Sequence, residues 1–186
     1  IAALTIFSFS DFTQAPPRPS ANTGTPKFVR PSAAIMVLVG LTLSAMLAEG
    51  SAIDWSVIYM RDIFATVPLI NGLALALTAF FQFITRYFAD HFVVQYGPHK
   101  VAKICLWIML AGVILVAVAP AWPLALIGFA CLGAGSSVIF PLAMSAAAQL
   151  KDRPAAVNVA ALAQISFVVF LLAPPLLGVV AEYIGI

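Results

Sequence analysis

Residues 104–150 read ICLWIMLAGVILVAVAPAWPLALIGFACLGAGSSVIFPLAMSAAAQL and contain no charged side chain. The stretch is about twice as long as the roughly 20 apolar residues that carry an α-helix across a bilayer. Near its middle, Pro120 and Pro123 flank an Ala-Trp pair, and proline ends helices because it lacks a backbone N–H. The stretch therefore predicts two membrane-spanning helices, joined by a short turn with a tryptophan at the membrane surface.

Charge-free stretches on either side predict three more spans. Residues 31–48, 63–85 and 154–181 contain no Asp, Glu, Lys or Arg. The five predicted spans cover about 32–56, 68–87, 102–119, 123–147 and 156–181, and the first is expected to continue toward Tyr59. The predicted fold class is an all-α membrane protein, a helical bundle of five transmembrane helices.

The overall composition agrees with a membrane protein. Of the 186 residues, 63% are hydrophobic and 9% are charged, and the mean hydropathy is +1.07. Soluble proteins average about 45–50% apolar and about 25% charged residues, so the composition excludes a soluble enzyme, a disordered tail and a coiled coil. The net charge of +2 is too small for a nucleic-acid surface. Cys105 and Cys131 form no CxxC pair, which indicates neither a zinc site nor a disulfide framework.

Three regions follow one another along the chain. Residues 1–9, IAALTIFSF, are apolar but too short for a span, and they lack the features of a signal peptide. They predict the end of a preceding transmembrane helix. Residues 10–30 hold four prolines together with Ser, Thr, Asn and Gly, which is typical of an interdomain linker. Residues 31–186 form the predicted bundle, and we expect the chain to be cut at both ends.

The basic residues predict the orientation. If the linker 10–30 faces the cytoplasm, eight of the nine Lys and Arg residues lie in cytoplasmic segments and Arg61 lies outside. Cytoplasmic loops are enriched in Lys and Arg, so this orientation is favoured over its reverse. Trp55, Tyr59 and Trp122 then fall at the outer interface, where aromatic belts form.

Polar side chains inside the spans usually face protein or water, because lipid cannot hydrogen-bond them. The second span carries a polar stripe at helical spacing, and the first and fifth spans add further polar groups. The candidate substrate or proton cavity consists of Glu49, Thr42, Asn71, Thr78, Gln82 and Gln164. The third span has nothing more polar than Cys105 and Trp107, which predicts a helix that faces lipid nearly all round.

Glu49 is the one acidic side chain well inside a predicted span. In a water-filled cavity it would contact substrate or exchange protons. The alternative is a structural carboxylate at the outer end of the helix, either hydrogen-bonded or hydrated. Asp54 and Arg61 lie seven residues apart at the outer mouth, where they either pair or are solvated.

Small residues also recur along the first span. Gly40, Ser44, Ala48 and Ala52 follow one another at every fourth position, so they share one side of the helix. Such a stripe lets a neighbouring helix approach closely. We therefore expect helix packing along this side.

Residues 86–103, RYFADHFVVQYGPHKVAK, predict a cytoplasmic loop after the second span. Arg86 and Asp90 are four residues apart and can pair across one helical turn, or Asp90 can lie at a helix N-terminus, where a carboxylate is favoured. Either arrangement would latch helices together, and a merely solvated loop is the third interpretation. Gly97 forms the turn before Lys100.

Prolines inside two predicted spans indicate breaks in the helices. Pro141 lies in the fourth span, and Pro174 and Pro175 lie in the fifth. Proline removes a backbone hydrogen bond and kinks a helix. Bending during function and static curvature both explain such kinks.

The placement of Arg86, Asp90, Gly97 and Lys100 between two spans resembles the loop motif of the major facilitator superfamily (MFS), in the copy between its eighth and ninth helices. His91 stands where the family motif has a stronger base. The stretches AEGSAIDWSVIYMRD, GFACLGAGSSVIFPLAMSAAA and APPLLGVVAEYIG resemble bacterial members near the fucose-type sugar permeases. The resemblance extends over essentially the whole chain.

This resemblance implies a secondary active transporter that moves a small polar solute by alternating access. The five spans would be helices seven to eleven, residues 1–9 the end of helix six, and helix twelve would be missing. The implied partners are a small-molecule substrate, the lipid bilayer and the N-terminal six-helix half of the same carrier, with no nucleic acid. H⁺ is a candidate further partner, because Glu49 could exchange protons. The implied location is the inner membrane of a bacterium.

Other chemistry finds little support in the sequence. No nucleophile–base arrangement, phosphate loop or paired-carboxylate site is visible, so we expect no enzymatic activity, cofactor or metal. Gly133 and Gly135 resemble the start of a dinucleotide loop, but the third glycine is absent and the span is apolar, which favours close helix packing. His91 and His99 lack the cysteine or carboxylate neighbours of a metal site. The second functional hypothesis is a non-transporting membrane subunit that scaffolds a larger assembly.

Overall fold

The computed structural model describes residues 32–184, and the regular structure within them is helical. Six α-helices follow in order: α1 Ala33–Phe64, α2 Pro68–Tyr96, α3 Pro98–Ala117, α4 Trp122–Ser136, α5 Ile139–Gln149 and α6 Ala155–Ile184. The predicted end of a preceding helix at 1–9 and the predicted linker at 10–30 lie outside the described residues.

Five segments are long and apolar enough to cross a membrane: Ala33–Phe64, Pro68–Tyr96, Pro98–Ala117, Trp122–Gln149 and Ala155–Pro175. The fourth segment comprises both α4 and α5, which are separated by a break at Ser137 and Val138. The prediction of five spans in an all-α membrane bundle is confirmed. The chain is a multi-pass membrane protein.

Prolines and one serine determine where the helices begin. α2, α3 and α4 each have a proline in the first turn, where its missing N–H costs no intrahelical hydrogen bond. Ser32 caps α1, because its hydroxyl accepts a hydrogen bond from the backbone N–H of Ile35 at 3.4 Å. Successive spans run in opposite directions. The turn at Gly97 and segment 150–154 therefore lie at one end of the bundle, the Gly97 end, and segment 65–67 lies at the other, the Thr66 end.

α2 is longer than predicted. The helix continues through Arg86 to Tyr96, and Gly97, with a φ of 83°, is the one residue between α2 and α3. Residues 86–96 contain neither Gly nor Pro, and the rings of Phe92 and Tyr96 stack one turn apart, with centroids separated by 6.4 Å. The prediction of a loop over 86–103 is therefore wrong, because charge indicated a membrane exit but Gly97-Pro98 is the first helix breaker.

α4 lies between α2 and α3, and glycines let the three helices approach closely. A Cβ added at Gly135 would lie 2.6 Å from the carbonyl oxygen of Cys105 and 2.5 Å from the backbone nitrogen of Met109, both on α3. Gly133 faces the backbone of Thr78 on α2 in the same way. The prediction that these two glycines serve helix packing is confirmed.

α3 packs along one side. Val101, Cys105 and Met109 form its buried face, whereas Trp107 is 62% exposed and Ile114 is 51% exposed. The expectation that this helix faces lipid nearly all round is therefore wrong. Over residues 104–117 both the buried and the exposed side are apolar, so the residue types did not separate them.

The small-residue stripe on α1 is only half packed. Ala52 is buried and Ala48 is half-buried, but Gly40 and Ser44 are exposed. A Cβ added at Gly40 would meet no atom of the described residues within 4 Å. Helix packing along the first half of the stripe is therefore not found in residues 32–184.

Buried apolar side chains form two clusters. The larger cluster joins α4 to α1, α2 and α3, and includes Met60, Met109 and Phe129. The smaller cluster joins the start of α1 to α5 and α6. Its buried members are Ile35, Val39, Ala143, Ala147 and Leu162. The two halves of the fourth span thus pack largely with different neighbours, and α6 packs against α1 and α5.

Candidate functional site

A polar face runs along α1. Thr42, Glu49 and Ser56 are spaced by seven residues, nearly two helical turns, so they project from the same side of the helix. Thr42 and Ser56 are fully buried, and Glu49 is half-buried. This face therefore points toward other helices of the bundle.

Thr42 joins α1 to α6. Its hydroxyl oxygen lies 2.9 Å from the hydroxyl oxygen of Ser166, and the Thr42 hydroxyl also reaches the carbonyl of Val39 at 2.9 Å. Both residues of the pair are fully buried. Thr42, predicted to line a cavity, thus takes part in a hydrogen bond between two helices.

Two more of the predicted cavity residues are held by hydrogen bonds inside the bundle. The Thr66 hydroxyl donates to the side-chain oxygen of Asn71 in the first turn of α2. The Thr78 hydroxyl is placed to donate to the carbonyls of Ala74, at 2.9 Å, and Phe129, at 3.3 Å. Thr78 therefore connects α2 to α4 at the level where Gly133 allows them to touch.

The side chains of the three remaining cavity candidates have no hydrogen-bond partner among the described residues. Glu49 and Gln82 are half-buried, and Gln164 is exposed on α6. No hydrogen bond joins any of the three to another residue between 32 and 184. Within the described bundle, the polar groups of these three side chains are therefore not used in hydrogen bonds between residues.

Two cavities flank α4. One, of about 350 Å³, lies between α1, α3 and α4 and is lined by Ala48, Ser51, Ala52, Trp55, Tyr59, Val113, Val116, Ala117, Phe129 and Leu132. The other, of about 400 Å³, lies between α2, α3 and α4 and is lined by Leu77, Phe81, Ile108, Leu126, Ile127, Ala130, Cys131 and Ala134. Both linings are almost wholly apolar. None of the six predicted cavity residues contributes to either.

Tyr59 and Trp55 lie beside the first of these cavities. The Tyr59 hydroxyl donates to the carbonyl of Val116 at 2.6 Å, which joins α1 to the end of α3. The Tyr59 ring meets that of Phe129 edge to face at 5.8 Å. The aromatic residues predicted for the membrane surface thus include one that holds three helices together.

Arg86 is placed at the break in the fourth span. Its Nε and Nη2 donate to the carbonyl oxygen of Ser137 at 3.2 and 2.6 Å. The predicted pair of Arg86 with Asp90 is wrong, because the guanidinium points to α4 and Asp90 is exposed. The sequence did contain the signal: Pro141 has no N–H, so the carbonyl four residues earlier, that of Ser137, loses its helical partner.

Arg61 also has a different partner from the one considered in the sequence analysis. Arg61 bonds to its neighbour Asp62, with Nε and Oδ1 2.6 Å apart, on an exposed surface at the Thr66 end. Of the two alternatives for Asp54 and Arg61, the pair is therefore wrong, and Asp54 is exposed. Lys100 is exposed in the first turn of α3, and Gly97 supplies the turn before it.

Sequence reasoning missed a connection at the Gly97 end. The Asn158 amide donates to the Asp152 carboxylate at 2.9 Å, and the Ser32 hydroxyl bonds to the same carboxylate. The hydrogen bonds from Asn158 and then Ser32 hold the pKa of Asp152 below its ordinary value. Asp152 thereby joins the start of α1, the α5–α6 segment and α6, and only the fold brings these residues together.

Comparisons with known proteins identify relatives along most of the chain. The uncharacterized transporter y4wD of Sinorhizobium fredii is 29% identical over 160 residues, which cover 86% of this chain and 42% of the relative. An uncharacterized MFS-type transporter of Yersinia pestis is 29% identical over 160 residues, covering 84% and 41%. The membrane protein MosC of Rhizobium meliloti is 23% identical over 146 residues, covering 78% and 36%.

No family model and no solved structure matches the chain. The chain spans about two fifths of the length of the curated relatives it matches. Over more than four fifths of its own length it is similar to two proteins named as transporters, one of them of MFS type. The resemblance found in the sequence is thereby supported at the level of an MFS-like membrane transporter.

Proposed function

We propose that this chain is the C-terminal transmembrane bundle of a secondary active transporter, which moves a small polar solute by alternating access between two bundles. The similarity to transporters supports this proposal, as does the length of those relatives, which is more than twice that of the matched part. An N-terminal half of six helices would provide the facing wall of the pathway.

The main support for the proposal is the position of Glu49 inside an apolar helix. A carboxylate in the middle of a 32-residue apolar helix is costly to keep unless it meets water or a partner. No partner for it exists among residues 32–184, and it lies between the buried Thr42 and Ser56 on one face of α1. The buried hydroxyl of Ser56 also has no hydrogen-bond partner among these residues. A hydrated pathway along this face would satisfy both groups.

The solute we propose is neutral and rich in hydroxyl groups, such as a monosaccharide. Gln82 and Gln164 offer amide groups that both donate and accept hydrogen bonds, and Glu49 accepts them. This chemistry agrees with the resemblance to fucose-type permeases. Proton coupling would act through Glu49, since it is the one acidic group near the middle of a described span.

The orientation we propose places the Gly97 end in the cytoplasm of a bacterium, with the protein in the inner membrane. The described residues at that end include five basic side chains: Arg86, Lys100, Lys103, Lys151 and Arg153. The Thr66 end carries one, Arg61. This asymmetry supports the orientation because cytoplasmic segments are enriched in Lys and Arg.

Uptake into proteoliposomes tests both solute and coupling. We expect the full-length protein to take up radiolabelled L-fucose, or another monosaccharide of a tested panel, severalfold faster when the outside is acidic. Glu49→Gln should remove this acceleration and keep exchange of internal for external sugar. Glu182→Gln, at an exposed position of α6, is the matched control and should behave as the native protein. Full gradient dependence in Glu49→Gln would contradict the role of Glu49.

A non-transporting scaffold remains the second candidate. It is favoured by the apolar linings of both cavities and by the use of Thr42, Asn71 and Thr78 in helix packing. In this case no sugar of the panel would cross the membrane, with or without a gradient. Purification would then yield the chain in a stable complex with another membrane protein.

A further inference from the structure

The break between α4 and α5, at Ser137 and Val138, is explained by Pro141. In an unbroken helix each carbonyl accepts from the N–H four residues later, and Pro141 cannot supply the N–H that the Ser137 carbonyl requires. The next hydrogen bond is in place, from the Leu142 N–H to the Val138 carbonyl at 3.1 Å. The interruption therefore leaves one identified acceptor, the Ser137 carbonyl, in the interior of a span.

That acceptor lies in a buried stretch of the fourth span. Ser137 has no exposed surface, and neighbouring Val138 and Ile139 are also buried. An unpaired backbone carbonyl inside a membrane is strongly unfavourable, because lipid offers no donor. The break can persist only if another group donates to this oxygen.

Arg86 supplies that donor from the adjacent helix. Two N–H groups of its guanidinium converge on the Ser137 oxygen, at 2.6 and 3.2 Å. The positive charge also lies at the C-terminal end of α4, where the helix dipole favours a cation. At its start α5 still contributes Ile139 and Leu142 to the larger cluster, and from Ala143 onward it packs with the start of α1 and with α6.

We infer that Arg86 and Pro141 act as a pair: proline opens the fourth span at Ser137, and Arg86 from α2 caps the opened end and so positions α5. Arg86 is a positioning residue in this arrangement. The inference concerns the packing of the bundle and holds whether or not the protein transports a solute.

Hydrogen–deuterium exchange of the full-length protein in lipid nanodiscs tests the pair. Arg86→Gln should make the amides of residues 136–140 and 142 exchange at least tenfold faster, because α4 loses its cap. Pro141→Ala restores an N–H that can bond to the Ser137 carbonyl. In that background the same Arg86→Gln change should alter exchange less than twofold. Arg61→Gln, on the exposed surface of the Thr66 end, is the matched control and should leave residues 136–142 unchanged.

Comparing Arg86→Gln in the native and Pro141→Ala backgrounds separates capping of α4 from a general stabilisation of the bundle by Arg86. Equal acceleration by Arg86→Gln in both backgrounds, or no acceleration in either, would overturn the pairing. If Arg86→Gln alone yields no folded protein, we expect the double variant with Pro141→Ala to recover a monodisperse species. Failure of that rescue would also overturn the inference.

Discussion

Thr42 and Ser166 form a buried hydrogen bond between α1 and α6, which share few other polar contacts among the described residues. Buried side-chain hydrogen bonds between membrane helices contribute about 0.6 kcal/mol on average. We expect Thr42→Val, which keeps the shape of the side chain, to lower the free energy of unfolding by about 1 kcal/mol. Unfolding in mixed micelles, monitored by circular dichroism, measures the change.

The matching control is Ser44→Ala, since this exposed hydroxyl bonds within its own helix to the carbonyl of Leu41. It should change stability little. A double-mutant cycle with Ser166→Ala isolates the pair. Additive effects of the two substitutions would show that the hydroxyl groups do not interact.

Asp152 gives the stability a dependence on pH. Hydrogen bonds from Asn158 and Ser32 lower its pKa in the folded protein below the ordinary value of 3.8. The carboxylate form is therefore favoured by folding, and its contribution is full above pH 3.8 and disappears as the pH falls through the lowered pKa. We expect Asp152→Asn to melt at a lower temperature than the native protein at pH 7, and the difference to shrink steadily below about pH 4.

Thermal melting of both proteins between pH 7 and pH 3 checks this prediction. Asp90→Asn is the control, because Asp90 is exposed and has no hydrogen bond to another described residue. A melting difference for Asp152→Asn that stays constant down to pH 3 would contradict the assigned role of the carboxylate.

At the scale of the helices, glycine determines how closely α4 can approach its neighbours. A Cβ at Gly133 would overlap the Thr78 carbonyl, and one at Gly135 would press against the α3 backbone. Because backbone cannot move aside as a side chain can, we expect Gly133→Ala and Gly135→Ala each to cost about 1–3 kcal/mol of stability. Unfolding in mixed micelles provides the measurement.

Gly40 and Gly72 supply the matched controls for these substitutions. Both lie inside helices, and an added Cβ would meet no described atom within 4 Å. Alanine there should be neutral or slightly stabilising, because it restricts the unfolded chain and favours the helix. If alanine is tolerated at Gly133 as well as at Gly40, the close contact between α2 and α4 does not hold.

The helices differ in how far the sequence predicts them. The five spans follow from charge and apolarity, which a bilayer selects directly. The end of α2 was missed because a run such as 86–96 can leave the membrane and still remain helical; only Gly97-Pro98 forces the end. The buried side of α3 was missed because lipid and a neighbouring helix accept the same side chains.

The candidate site was less predictable than the spans. Polar residues in a span must find partners, but the partner is chosen by packing. Thr42 and Thr78 bond to α6 and α4, whereas Glu49 and Gln164 have no described partner. Half of one contact could have been predicted from the sequence, because Pro141 lacks the N–H that would bond to the Ser137 carbonyl within a helix. Its donor, Arg86, is 51 positions away and required the fold.

At the scale of the whole molecule, the described bundle leaves a large part of its helix surfaces exposed. The fourth span, formed by α4 and α5, is the most enclosed, while much of α2 and α6 is exposed. Gln164 lies on that exposed surface, and Gln82 is only partly covered. The proposed transporter requires this surface to border a hydrated gap closed by a second bundle, whereas an isolated bundle or a scaffold would turn it to lipid or to other protein.

Cysteine accessibility measures that difference most directly. In full-length protein lacking Cys105 and Cys131, single cysteines replace Glu49, Gln82 or Gln164, and a charged, membrane-impermeant thiol reagent is applied to membranes open on both sides. We predict that all three positions react at least tenfold faster than a cysteine at Ile114, which lies on the exposed apolar side of α3. Reaction at all three as slow as at Ile114 would place these side chains in lipid or dry protein and contradict a solute pathway along this face.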